Sequence, residues 1–323
     1  MLPGMIRRSG LLCAALILGC ASSSLTIVHV PLVDVRAEPR TAAQAGVHDP
    51  LEETQLLYGE RVRRRATKNG WARIEAVEEP EFTHATRWQG YPGWVPEQAL
   101  GPRDSLDAPT AVVTEKWASA WVDAHLTEPS SVRLPLGARL RATDMGGQRW
   151  NVELGDDLTV WMKPASARSL AELKTLNAAQ RRRLIVRNAA LFLGDPYYWG
   201  GRSPYDPTAT DHVTGVDCSG LINLSYRAAG TDIPRDAHEQ FLRAKPVAIL
   251  QPADLIFLSA PGDPSRIVHV MLYAGDGAVI EAPATGLRVR RISLTERFGR
   301  AAEAVRPGTV IEGQTVSFGA YLP

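Results

Sequence analysis

Cysteine is scarce in this chain of 323 residues: there are three, Cys13, Cys20 and Cys218, too few for a disulfide framework. The seven histidines are scattered and no Cys-x-x-Cys or His-Glu-x-x-His pattern occurs. The ligand spacings of metal sites are therefore missing, and neither a metal nor another cofactor is expected. Charge of one sign is lacking as well. Lys plus Arg number 36 and Asp plus Glu 35, a formal charge of +1, so there is no electrostatic footprint for binding nucleic acid. The apolar run Leu11–Leu18 is too short for a membrane span. What the chain does have is 45% hydrophobic content, enough to bury more than one core and to form two or three domains.

The segment Gly215-Val216-Asp217-Cys218-Ser219-Gly220 carries the strongest chemical signal. From Ser219 to Ala229 the apolar residues Leu221, Ile222, Leu224, Tyr226 and Ala228 predict a buried helix that Gly230 stops. Cys218 then sits at a helix N-terminus, where unpaired N–H groups and the macrodipole favour a thiolate, and Asp217 can cap the helix. A single cysteine among apolar residues is as readily an inert core side chain, so partners decide. His269 heads the strand-like Val268–Ala274, Gly275-Asp276-Gly277 is a turn signal, and Ala278–Ala282 reads as the returning strand. A three-residue loop would set Met271 opposite Glu281 and make His269 its diagonal neighbour on one face. A two-residue turn would put His269 and Glu281 on opposite faces. The first register yields a nucleophile, a base and a carboxylate that orients the imidazolium, the set needed for acyl transfer.

In these residues the chain resembles the NlpC family of bacterial cell-wall cysteine peptidases. The match runs in order through Tyr197-Tyr198-Trp199-Gly200-Gly201, Asp217-Cys218-Ser219-Gly220, Pro234-Arg235-Asp236, Asp254-Leu255-Ile256-Phe257 and His269-Val270 with Tyr273 and Gly275. The resemblance implies a compact papain-like domain over residues 177–312, with Cys218 as nucleophile, His269 as general base and Glu281 as third polar residue. Relatives more often carry histidine, asparagine or glutamine at that third position. It also implies that the Tyr197 hydroxyl lies near the oxyanion site, and it makes Asp217, Ser219 and Trp199 candidate substrate contacts. Asn177-Ala178-Ala179-Gln180 looks like a helix cap, and Arg181-Arg182-Arg183 behind it reads as a solvated helix face.

The N-terminal texture differs. Arg7 and Arg8 precede the Leu11–Leu18 run, a secretory pattern. Ile17-Leu18-Gly19-Cys20-Ala21-Ser22-Ser23 resembles the lipobox of bacterial lipoproteins, which implies a signal over residues 1–19, lipidation of Cys20 and firm anchoring by several acyl chains. Ala21 favours the periplasmic face of the outer membrane in a diderm cell. Cys218 then remains as the free thiol, and loss of Arg7 and Arg8 takes the formal charge from +1 to 1 − 2 = −1.

Between Leu25 and Ala165 short alternating runs broken by Gly, Pro and Asp predict small all-β units. The pattern recurs: Trp71 and Trp94 mark two strands of one unit, Trp150 and Trp161 two of the next. This resembles tandem bacterial SH3-like domains, over residues 25–105 and 109–168, and the expected class is α+β. Two such barrels before this catalytic domain look like the γ-D-glutamyl-L-diamino acid endopeptidases of peptidoglycan turnover. There the first barrel covers one end of the cleft and helps bind the free amine of an N-terminal L-alanine. That implies substrate-binding roles for Glu53, Tyr91 and Asp236, while Ala237 stands where the subgroup commonly has serine. The expected partners are peptidoglycan stem peptides and, through Cys20, a membrane; oligomeric state is open. The alternatives are an endopeptidase on intact crosslinked wall, a related cysteine amidase or acyltransferase, and a non-catalytic wall-binding lipoprotein.

Overall fold

The computed structural model describes residues 24–41, 49–101, 108–155, 158–209 and 213–323. The expected signal and Cys20 lie outside these residues.

The first unit contains β1 (Ser24–Ile27), β2 (Leu32–Arg36), β3 (Glu52–Leu57), β4 (Arg61–Lys68), β5 (Trp71–Glu81) and β6 (Gln89–Pro96), in the antiparallel order β1-β4-β5-β6-β2-β3. Its strands alternate inward apolar residues with polar ones, as in Ala72, Ile74 and Ala76 of β5, and Val35, Leu56, Val62 and Val95 close the core. The second unit contains β7 (Ala111–Val113), β8 (Trp117–Trp121), β9 (Pro129–Pro135), β10 (Arg139–Asp144), β11 (Trp150–Leu154), β12 (Leu158–Met162) and β13 (Ala167–Ser169), ordered β13-β7-β10-β11-β12-β8-β9. Each tryptophan pair expected from the repeat falls on adjacent strands: Arg73 pairs with Trp94, and Trp150 with Met162 beside Asn151 with Trp161.

A short helix α1 (Leu170–Thr175) leads into the third unit, built from α2 (Ala178–Ala190), α3 (Cys218–Arg227) and α4 (Ala237–Arg243) against a sheet. Its strands are β14 (Lys245–Pro246), β15 (Leu255–Ala260), β16 (Asp263–Gly275), β17 (Ala278–Glu281) and β18 (Arg290–Ser293), followed by α5 (Leu294–Phe298), β19 (Val310–Ile311) and β20 (Gln314–Ala320). The order β14-β20-β15-β16-β17-β18 places the C-terminal strand inside the sheet. The unit thus extends past the expected limit at residue 312: β20 pairs with β14 and β15, Tyr321 Oη donates to Gln240 O at 2.7 Å, and Arg182 holds the Leu322 carbonyl at 3.0 Å. The Asn177–Gln180 capping box forms as expected. Arg182, read as part of a solvated face, is instead buried and paired with Asp254 at 2.7 Å, because Asp254 would otherwise be a buried uncompensated charge.

The two N-terminal units meet the third by different physics. The second shares one apolar core with it, through Leu134, Leu136 and Leu140 on one side and Leu221, Leu224 and Tyr226 on the other. The first keeps a core of its own and meets the third largely through ions and hydrogen bonds. Arg202 reaches Glu60 at 2.7 Å and Glu79 at 2.8 Å, Arg227 reaches Glu60 at 3.2 Å and Glu78 at 2.9 Å, and all five side chains are at most 8% exposed.

Candidate active site

Helix α3 starts where the sequence predicts. Asp217 accepts from Gly220 N at 2.6 Å and from Gly200 N at 3.2 Å, which fixes the first turn against the Tyr197–Gly201 segment. The glycines of that segment have a steric reason. A Cβ at Gly201 would lie 2.5 Å from Gly215 O, and one at Gly220 would collide with Gly201 O, so only glycine lets the two backbones approach this closely. Arg235 locks the junction: its guanidinium donates to both Asp217 oxygens at 3.0 and 2.8 Å, to Ser219 Oγ at 2.9 Å and, across the domain boundary, to Thr54 Oγ1 at 2.7 Å. Asp217 and Ser219, expected as substrate contacts, therefore spend their side chains on the scaffold, because a buried carboxylate must be satisfied. They act on Cys218 by holding its helix.

Cys218 is buried and is the free cysteine among the described residues. Its thiol hydrogen-bonds with His269, whose Nε2 lies 2.9 Å from Glu281 Oε2. This leaves Nδ1 of the ring to face sulfur. Burial opposes charge on His269, but the contacts with Cys218 and Glu281 outweigh it and raise its pKa to about 9. Burial likewise opposes ionisation of Glu281, yet His269, Arg297 and Arg290 together hold its pKa down to about 2. The geometry provides an ionised carboxylate, an imidazole with a directed proton and a thiol at the positive end of a helix, the parts of a nucleophilic acyl-transfer site.

The hairpin that brings His269 to Glu281 settles the question of register unexpectedly. Leu272 pairs with Ile280 and Tyr273 with Val279, the register that sets Met271 toward Glu281, yet Gly275 pairs with Ala278 across a two-residue Asp276-Gly277 turn. A bulge at Ala274 supplies the missing residue and restores the phase. Asp276 and Gly277 both have positive φ, 52° and 67°, as a tight hairpin turn of this kind requires.

Tyr197 lies beside the nucleophile: burial first, then the charges of Asp217 and Cys218, push its phenol above the ordinary value. Trp199 is half exposed at the same turn. From the first unit, Tyr91 of β6 donates to Asp236 Oδ2 at 3.1 Å and approaches Glu53 Oε2 at 3.5 Å. Burial and the acidic neighbours raise Asp236 to about 7 despite Arg235. The structure thus brings Glu53, Tyr91 and Asp236 together across the domain boundary. The loop carrying Thr83 secures that boundary, since Thr83 N and Oγ1 both donate to Glu239 of α4, and Arg243 of α4 lies 3.9 Å over the Trp88 ring.

Three participants went unrecognised in the sequence. His84 sits between Glu81 at 3.0 Å and Glu53 at 3.5 Å and is raised to about 9, chiefly by the Glu53 hydrogen bond. Arg290 and Arg297 grip Glu281. A glutamate on an apolar hairpin demands a cation, and the Arg288–Arg291 run one strand later was the available signal; nothing local marked His84.

Cysteine, histidine and carboxylate on a helix and sheet of this arrangement define a papain-like thiol hydrolase site. Residues 194–302 match the NlpC/P60 family, and the C-terminal unit is an NlpC/P60 domain. Over 258 residues the chain is 28% identical to the γ-D-glutamyl-L-lysine dipeptidyl-peptidase of Bacillus subtilis, covering 77% of this chain and 78% of that protein. It is 33% identical over 144 residues to the murein DD-endopeptidase MepH of Escherichia coli, covering 43% of this chain and 50% of the relative. In structure it is similar to an NlpC/P60 family protein from Bacillus cereus, with a TM-score of 0.72 at 24% identity, covering 93% of this chain and all of that one. That likeness extends across the N-terminal units and supports the mixed architecture.

Proposed function

We propose that the chain hydrolyses the bond between γ-D-glutamate and an L-diamino acid in peptidoglycan stem peptides, acting on peptides with a free N-terminal L-alanine. The observation that carries this reading is the contact that the first unit makes beside the thiol site: Tyr91 and Glu53 meet Asp236, whose neighbour Arg235 holds the Asp217 cap of α3. A carboxylate pair with a phenol is a receptor for an ammonium group in a partly closed site. The similarity to a γ-D-glutamyl-L-lysine dipeptidyl-peptidase, over most of both chains, supports the same substrate class.

In the reaction, the Cys218 thiolate attacks the γ-glutamyl carbonyl. The Cys218 backbone N–H, with Tyr197, stabilises the oxyanion. The His269 imidazolium donates to the leaving amine of the diamino acid, and water activated by the neutral imidazole releases the acyl group. Glu281 holds the ring in its working tautomer. The two N-terminal units are read as SH3-like domains, the first shaping the substrate end of the cleft. Cys20 is read as a lipid anchor at the envelope, which radiolabelled palmitate incorporation in wild type and its loss in Cys20→Ala would test.

Acetylating the N-terminus of L-Ala-γ-D-Glu-diamino acid peptides tests the assignment. Cleavage of the free-amine peptide should exceed that of its acetylated form by at least about tenfold, the worth of one buried ion pair or two hydrogen bonds. Equal rates would refute amine recognition, and cleavage of intact sacculi at comparable rates would favour a wall-remodelling endopeptidase.

A further inference from the structure

Glu281 is unusually committed for an orienting carboxylate. Its side chain is fully buried, and besides His269 it accepts two guanidinium groups: Arg290 Nε and Nη2 reach Oε1 at 2.9 and 2.7 Å, and Arg297 Nε reaches Oε2 at 3.0 Å. Oε2 is thus shared between the imidazole and Arg297. Both arginines are placed by secondary structure. Arg290 lies directly opposite Glu281 in the β17–β18 ladder, and Arg297 stands on α5, which the reciprocal Ser293–Glu296 capping box fixes and Phe298 anchors in the core.

A lone buried carboxylate 2.9 Å from a histidine would bind the imidazolium so strongly that the ring would part with its proton reluctantly. Two guanidiniums on the same carboxylate change this. They satisfy its remaining lone pairs, keep it ionised and draw off part of its charge, so the residual field at the ring is that of a shared anion. The charged and titratable groups packed about the pair are Cys218 from α3, Arg290 from β18, Arg297 from α5 and, along β16, His238 of α4, whose Nδ1 accepts from Ile267 N at 3.4 Å.

We propose that Arg290 and Arg297 are positioning residues of the thiol site, a guanidinium clamp that fixes the Glu281 carboxylate on His269 and keeps the imidazolium acidic enough to protonate a leaving amine. The clamp is the counterpart of having glutamate, rather than a neutral side chain, as the third residue. It rests on the reading of Cys218 and His269 as the reacting pair and is independent of which peptide is cleaved.

The test uses the full chain and iodoacetate, an anion whose attack by the Cys218 thiolate is favoured while the neighbouring imidazolium keeps its proton. The pH dependence of carboxymethylation is followed on the Cys218 peptide by mass spectrometry. Arg297→Gln and Arg290→Gln should each move the alkaline fall in rate to higher pH by about one unit, the field of one partly screened charge at this distance. Arg297→Lys should recover most of the shift, and Arg300→Ala, which removes an exposed arginine just beyond the same helix, should leave the limb in place. With stem peptide, the Gln variants should lose kcat several-fold at constant KM. An alkaline limb unmoved in both Gln variants, or moved as far by Arg300→Ala, overturns the proposal. If wild type cleaves no stem peptide but the limb shifts as described, the clamp stands and only the substrate reading falls.

Discussion

Replacing Arg235 by methionine probes the joint on which the site depends. The guanidinium is completely buried and satisfies Asp217 twice, Ser219 Oγ and Thr54 Oγ1 at 2.7 to 3.0 Å. Methionine restores much of the volume but leaves the Asp217 carboxylate without its counter-ion, a loss of about 3–5 kcal/mol for removing one member of a buried pair. Because Asp217 also caps α3, its relaxation moves Cys218 away from His269, and activity should fall by much more than the folded fraction. Urea unfolding followed by tryptophan fluorescence gives the first quantity, and turnover in dilute urea-free buffer the second. The double variant Arg235→Met with Asp217→Asn removes the orphaned charge and should be more stable than Arg235→Met alone. A single variant within about 1 kcal/mol of wild type, or a double variant that adds the full cost of both changes, would refute the argument that ion pairing across this joint holds the helix.

Other expectations follow from the same geometry. Glu281 titrates near 2 rather than the ordinary 4.5, so its contribution to stability is present above pH 4.5 and is lost as pH falls toward 2; His269, raised from 6.5 to about 9, contributes below pH 6.5 and loses this as pH rises through 9. Stability of the wild type should therefore decline on both sides of that window, and Glu281→Gln should flatten the acid limb by up to about 3 kcal/mol and bring the alkaline loss to lower pH, read from thermal unfolding across the range. His84, also raised to about 9, adds to the alkaline limb, which His84→Gln would isolate. Tyr91→Phe should raise KM for the free-amine peptide about tenfold with little change in kcat; an unchanged KM would remove Tyr91 from the binding wall. Deleting residues 314–323 takes the strand between β14 and β15 out of the sheet and should yield no soluble folded protein, which expression and circular dichroism would show.

What the sequence made legible was local. The cap at Asp217, the apolar stripe of α3, the Asn177 box and the paired tryptophan strands are written within a few residues of one another, where spacing and turn chemistry suffice. The His269–Glu281 register was legible only as two alternatives, because a bulge at Ala274 changes strand phase without leaving a mark in composition. The ion pairs and hydrogen bonds that burial alone dictates were invisible: Arg202 finds Glu60 across 142 positions and Arg235 finds Thr54 across 181. Each looks in isolation like an ordinary surface charge, and only the folded arrangement shows that burial forces it to pair. The same holds for Arg182, whose neighbours Arg181 and Arg183 made the trio resemble a solvated face. The C-terminal strand escaped because β20 pairs with β15, far earlier in the chain, rather than with a hairpin neighbour.

The most direct test is mass-spectrometric product analysis of wild type and Cys218→Ala incubated with L-Ala-γ-D-Glu-diamino acid peptides and, separately, with intact sacculi. Wild type should release L-Ala-D-Glu from the free peptide and little from sacculi, and the folded Cys218→Ala variant should release none. Activity retained without the thiol would contradict catalysis by Cys218, and cleavage at any bond other than that between γ-D-glutamate and the diamino acid would contradict the substrate assignment.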